Sequence, residues 1–265
     1  MASSIIGGLV ESGHPPQRIS AADPFPDSLL RLQAIAPVAV SSDNAQTVAD
    51  ADVVILAVKP QVMAEALSSI AEAVRGNDAL VISIAAGVRA SDIETWLGGE
   101  LSVVRVMPNQ PALLRLGISG LYANEHTSKQ QLRAATNIIS TTGPVIQVSS
   151  EEDIDTVTAV SGTGPAYFYL LVDMLVKVAV DLGLSYEDAL ALVLETARGA
   201  GEMAEQSGES MDSLIARVRS PGGTTAAAFD YIDSTNFRDI FSAAVIAARD
   251  RAKYLADQAH ESGKD

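Results

Sequence analysis

The residues richest in chemistry lie late in the chain, at Arg219-Ser220-Pro221-Gly222-Gly223-Thr224-Thr225. Pro221 fixes φ and interrupts any helix before it. Gly222 and Gly223 let the backbone turn sharply and approach a ligand closely. Thr224 and Thr225 then stand at a fresh helix start, where free N–H groups and the helix dipole attract an anion. Such a cradle suits a small carboxylate and leaves a threonine hydroxyl for the reacting part of the molecule. An ordinary helix–helix turn is the competing reading, since Pro-Gly pairs mark turns.

Other catalytic inventories are thin. His14, His126 and His260 sit in polar contexts, none suits a general base, and no pair has metal-ligand spacing, so no metal is expected. There is no cysteine, no nucleophile elbow and no P-loop. Backbone amides, hydroxyls and strand ends remain. They fit hydride transfer, in which a cofactor carries the difficult step and the protein orients the partners. An already protonated C=N needs no strong base for its reduction. Thr225, bonded to that nitrogen, could orient it or relay a proton.

Strands alternating with helices must position these groups. A helix is expected over 2–11 and a strand over 17–22, ending at Ala22-Asp23-Pro24. Asp23 stands where a dinucleotide-binding unit holds an adenosine ribose, or is simply a turn aspartate. A helix over 29–35 and a strand over 38–40 follow, then a helix through Val48 capped by Asp43 or Asn44. Residues 52–58 form a continuous β-branched run, as in a parallel strand covered on both faces. It stops at Lys59-Pro60, and helical periodicity resumes over 61–73.

The next strand, 79–84, ends in Ala85-Ala86-Gly87, small enough for a cofactor to lie on the backbone. Ser91 and Glu94 read as a capping box for a helix ending at Gly98. Strands over 102–107, near 118–122 and over 144–148 complete the set, with a helix capped around Thr127-Ser128 running through Ser140. This is a doubly wound, Rossmann-like parallel sheet. Its ligand edge gathers Asp23, Asn44, Val58, Lys59, Pro60, Ala86 and Pro108-Asn109. Lys59 reads equally as a solvated strand terminus.

From Glu151 on, strand signals fade. A division at 150/151 is therefore expected, with an all-α domain over 151–265. Residues 155–160 run into a small-residue turn, 161–165, then a long helix over 166–182 ended by Gly183. Ser185 with Asp188 starts another helix to about Gln206, and 210–218 leads to the Pro-Gly-Gly turn. From Phe237, the residues Ile240, Phe241, Ala244, Val245, Ala248, Ala252 and Leu255 make one apolar stripe, and the tail 261–265 reads as polar and loose.

Eighteen basic against 33 acidic residues give a formal charge of −15, which argues against nucleic acid or an anionic membrane as partner. The apolar run 167–184 is broken by Asp173, Lys177 and Asp181, so it reads as an interface helix rather than a membrane span. Dimerisation through 167–182 is expected.

The chain resembles pyrroline-5-carboxylate reductases at Ala57-Val58-Lys59-Pro60, Ser83-Ile84-Ala85-Ala86-Gly87-Val88, Arg105-Val106-Met107-Pro108-Asn109, residues 159–167 (Ala-Val-Ser-Gly-Thr-Gly-Pro-Ala-Tyr) and Ser220-Pro221-Gly222-Gly223-Thr224-Thr225. The blocks span essentially the whole chain in order. The resemblance implies a cytoplasmic enzyme that reduces 1-pyrroline-5-carboxylate to L-proline with NADPH or NADH, working as homodimers often assembled into larger rings. It assigns Val58, Lys59, Pro60 and Ala86 to the cofactor, with Asn44 near the adenosine ribose or its phosphate. Gly223, Thr224 and Thr225 fall on the substrate pocket, with Thr225 nearest the imine nitrogen and Glu151 nearby.

Thr163 for serine and Gln110 for threonine are mild departures. The family opens with a strand and a Gly-x-Gly-Asn-Met turn, whereas Met1 matches that last methionine. The resemblance therefore leads us to expect no first strand, no pyrophosphate glycines and weak dinucleotide binding. The alternative is a non-catalytic dimeric remnant of the family. A β-hydroxyacid dehydrogenase-like reductase is a further rival, with Lys177 its only candidate catalytic lysine.

Overall fold

The computed structural model describes residues 1–262, with side chains up to Ala259. In chain order the elements are α1 (Ala2–Glu11), β1 (Ser20–Ala22), α2 (Pro26–Ile35), β2 (Ala39–Ser41), α3 (Asn44–Val48), β3 (Val53–Leu56), α4 (Met63–Ser68), α5 (Ala71–Gly76), β4 (Leu80–Ser83), α6 (Ala90–Leu97), β5 (Val103–Met107), β6 (Ser119–Ala123), α7 (Lys129–Ser140), β7 (Val145–Gln147), α8 (Asp153–Val157), α9 (Gly164–Asp181), α10 (Tyr186–Ser207), α11 (Met211–Val218), α12 (Thr224–Asp233) and α13 (Phe237–Ser262).

Contacts divide the chain into two compact units. One is Met1–Gly164 together with the chain from Ala247 on, and the other is Pro165–Ile246. The first is Rossmann-like α/β and the second is all-α. The contact boundary falls beyond the expected 150/151 because α8 packs on β5 and β6. The last part of α13 returns to the α/β unit.

Strands β3, β4 and β5 run parallel, each pair in register through its apolar residues. Val54, Leu56, Val81 and Val103 bury one face against Met63, Leu67, Val74, Ile93 and Leu97 of α4, α5 and α6. Leu80, Ile82, Val104, Val106 and Leu121 bury the other against Ile5 of α1 and Ala135 and Ile139 of α7. Covering both faces is what makes these strands continuous apolar runs. The smaller pair β1–β2 packs Ile19 and Val38 on Leu32 and Ala36 of α2.

Several expectations are corrected. The strands form two sheets, β1-β2 and β3-β4-β5-β6-β7, with no pairing between them. β6 is antiparallel to β5, because residues 108–118 between them hold only a 3-10 turn and no crossover helix. Helix α6 starts at Ala90, before Ser91: Asp92 Oδ2 accepts the Arg89 N–H at 3.2 Å, while Glu94 turns away to Leu101 N at 3.4 Å and His126 Nε2 at 3.5 Å. The helix over 61–73 is a 3-10 turn followed by α4 and α5. Residues 161–165 are not a turn, since a π-helical segment, Thr158–Gly162, carries α8 into α9. Thr163 N–H bonds Thr158 O, five residues back, at 2.8 Å. Helix α13 continues to Ser262, and residues 263–265 of the expected loose tail lie outside the described residues.

Other caps form as their residue types require. Asp43 accepts Gln46 N–H at the start of α3, Ser128 accepts Gln131 N–H at α7, and Ser185 accepts Asp188 N–H at α10.

Candidate functional site

The cradle ahead of α12 has the expected local geometry. Gly222 lies at φ 73°, in the left-handed region. Gly223 N–H bonds Ser220 O at 3.0 Å, and a Cβ at Gly223 would stand 2.6 Å from Ser220 Oγ and 3.1 Å from Ser220 O. Only glycine fits that turn. Gly223 is the N-cap of α12 and carries no side chain to satisfy the first amides, which leaves them directed at solvent or a ligand. Thr224 is exposed and Thr225 half-buried at this mouth.

The nearby cation is already engaged. Arg219 pairs with Asp230 at 2.6 Å and Asp233 at 3.2 Å, with its guanidinium 5.4 Å from the centre of the Phe229 ring. Those carboxylates hold its pKa above the ordinary value. Charge recognition at the cradle therefore falls to amides and hydroxyls. Tyr167, at the end of the 159–167 block, sets its ring edge-on to Phe241 at 5.4 Å, and its hydroxyl is buried without a partner. Lys177 is tied to Asp173 at 2.7 Å, one turn away along α9.

The candidate cofactor residues lie in the α/β unit. Ala57, Val58, Lys59 and Ala86 are all exposed, just past the carboxyl ends of the adjacent strands β3 and β4. Pro60 opens the short 3-10 turn behind them. Asp23 and Asn44 belong to the β1–β2 edge, where Ala22 pairs with Ser41. Asp23 Oδ1 accepts Phe25 N–H at 2.8 Å, an Asx turn, and Asn44 is the first residue of α3, half-buried. Small, exposed residues at neighbouring strand ends fit a dinucleotide lying across the sheet edge. Among the described residues no cluster of three or more His, Asp or Glu could hold a metal.

Glu151 belongs to the α/β unit. Its Oε1 accepts Ala90 N–H at 2.7 Å and Arg105 Nη1 at 2.8 Å. Arg105 is 2% exposed, and removing either partner of so buried a pair costs about 3–5 kcal/mol. Beside it, Arg89 Nη2 bonds Asp155 Oδ2 at 2.9 Å, while Arg89 Nη1 is buried without a partner. Sequence reasoning assigned no role to Arg89, Arg105 or Asp155. One signal was available: a lone arginine inside Val103-Val104-Arg105-Val106-Met107, a strand covered on both faces, demands a buried carboxylate.

These local arrangements can be set beside known proteins. Residues 151–255 match the family described as pyrroline-5-carboxylate reductase dimerisation, and residues 1–87 match NADP oxidoreductase, coenzyme F420-dependent. The pyrroline-5-carboxylate reductase of Pseudomonas aeruginosa is 44% identical over 97% of this chain and 94% of its own length. The chain belongs to the pyrroline-5-carboxylate reductase family.

Solved members of that family superpose over nearly the whole chain. The Coxiella burnetii pyrroline-5-carboxylate reductase gives a TM-score of 0.91 at 40% identity, covering 96% of this chain and 94% of that one. The Plasmodium falciparum pyrroline carboxylate reductase with NADP bound gives 0.84 at 28% identity, with the same coverages.

Proposed function

We propose that this chain reduces 1-pyrroline-5-carboxylate to L-proline in the cytoplasm, taking a hydride from NADPH or NADH. The observation that carries the reading is the uncapped first turn of α12 behind Gly222-Gly223, where two threonines stand ready and the adjacent Arg219 is already paired. In this reading the α12 amides and Thr224 hold the substrate carboxylate. Thr225 donates or accepts at the ring nitrogen, orienting the C=N carbon and relaying its proton.

Val58, Lys59, Pro60 and Ala86 would hold the dinucleotide, with Asn44 and Asp23 toward its adenosine end. When bound, that group supplies the hydride. Glu151, whose Oε1 is already shared by two donors, is not needed for the substrate grip. The apolar faces of α9 and α10 pair two chains into a homodimer, with rings of dimers as the larger assembly.

The test is turnover. Purified chain with pyrroline-5-carboxylate should oxidise NADPH or NADH and yield proline. Thr225→Val should lower kcat by about ten- to a hundredfold while leaving dinucleotide affinity unchanged. No turnover with either nucleotide ends the proposal.

A second reading, a dimeric module that does not reduce, draws on the missing pairing between β1 and β3, which leaves two strand edges inside the dinucleotide region. It predicts a dimer with weak or no dinucleotide affinity, and micromolar binding would exclude it.

A further inference from the structure

The loop after β4 is held from two sides. On one side Glu151 Oε1 accepts Ala90 N–H at 2.7 Å and Asp92 Oδ2 accepts Arg89 N–H at 3.2 Å. Two amides at the mouth of α6 are thus occupied by carboxylates. Glu151 is in turn fixed by Arg105 Nη1 at 2.8 Å. On the other side α13 lies against the turn. Gly87 sits at φ 70°, and a Cβ there would meet Leu255 Cβ at 3.4 Å and Ala256 N at 3.6 Å. Asp257 Oδ1 stands 4.0 Å from Arg89 Nη2. Within this clamp Ala85 and Val88 are buried, and Ala86 is presented outward.

With the Arg89 and Ala90 amides taken by carboxylates, the start of α6 has less to offer an anion. What the carboxylates do there is fix where Ala86 stands. We propose that Glu151, braced by buried Arg105, is a positioning residue for the dinucleotide. It acts through the Ala90 amide on the Ala85-Ala86-Gly87 loop and makes no contact with the imino acid. The inference rests on the reading of Ala86 as a cofactor residue.

Glu151→Gln keeps the size and an acceptor for Ala90 N–H, and removes the charge that holds Arg105. Made in the full chain, it should speed hydrogen exchange of residues 85–90 about tenfold and raise the NADPH dissociation constant, read by fluorescence titration, by a similar factor. The KM for pyrroline-5-carboxylate should stay within about twofold, which a substrate ligand would not permit. Arg105→Lys, which keeps the buried charge but loses the fork, should move the same two readouts the same way by about threefold, and it decides the matter if the glutamine variant does not fold.

A raised imino-acid KM with loop exchange and NADPH affinity unchanged overturns the proposal, as does a loosened loop with unaltered NADPH affinity. If wild-type chain takes up no NADPH, the dinucleotide reading fails on its own. Exchange of residues 85–90 then decides the positioning, and no change in either variant refutes it.

Discussion

The two units treat apolar residues in opposite ways. In the α/β unit both sheet faces are sealed, and Val81, Ile82, Val103 and Leu121 have no exposure at all. Within Pro165–Ile246 the buried hydrophobics among the described residues are Val176 and Ala189. Phe168 is 68% exposed, and Tyr169, Leu170, Leu175, Leu192 and Met203 are about as open. The stretch Asp153–Asp181 is even long and apolar enough to cross a membrane by length and composition. One unit has completed a core, and the other presents half of one. An isologous partner supplies the missing half most simply, since the same patch then meets itself.

The largest effect should come from the sealed side. Ile82→Ala opens a cavity between the sheet and the α1–α7 layer and should cost about 2–5 kcal/mol in urea melts. That loss should not depend on protein concentration. A concentration-dependent loss would mean that the α/β core also relies on association.

On the open side the sign of the concentration dependence reverses. Phe168→Asp should weaken self-association by about 2–4 kcal/mol, at least a thirtyfold shift in the dissociation constant, while helix content at high concentration is kept. Light scattering that finds wild type and variant equally dimeric would place the interface elsewhere. Gly199 gives a finer probe, because in α10 a Cβ there meets nothing within 4 Å. As an exposed helix-interior glycine it should gain about 0.5–1 kcal/mol on Gly199→Ala. If the variant instead loses dimer, a second chain approaches the α10 backbone at that residue.

Much of the α/β fold was legible because its signals are local. The runs 53–58 and 79–82 are apolar throughout, and Ser128, Ser185 and Gly98 mark helix ends through bonds only a few residues long. The direction of β6 was not legible, since it depends on what joins it to β5 rather than on its own pattern. Nor was the true start of α6, where Asp92 takes the Arg89 N–H and Glu151, 61 residues away, takes the Ala90 N–H. The Pro-Gly-Gly turn could be read because glycine and proline carry their geometry with them. The Arg105–Glu151 pair could not, because spacing along a chain says nothing about which buried arginine meets which carboxylate.

The smallest expected effect again separates the units, by pH. Tyr122 faces Arg105 across the β5–β6 pairing, and burial, followed by Glu151 and Glu152, pushes its phenol above the ordinary value of 10. The folded chain therefore holds the neutral phenol more tightly than the unfolded chain does. The associated stability is fully present below pH 10 and is lost as pH rises through the folded value, with a slope of at most about 1.4 kcal/mol per pH unit. In the helical unit Glu209 is shifted the other way, lowered by its bonds to Ser213 and Arg217, so its contribution is present at neutral pH and fades in acid. Urea midpoints of wild type should fall more steeply above pH 10 than those of Tyr122→Phe, which keeps the ring and removes the titration. Below pH 5 those two proteins should run together, whereas Glu209→Gln should flatten the acid limb. Equal alkaline slopes for wild type and Tyr122→Phe would show that neither burial nor the Glu151 and Glu152 charges shift the β6 phenol.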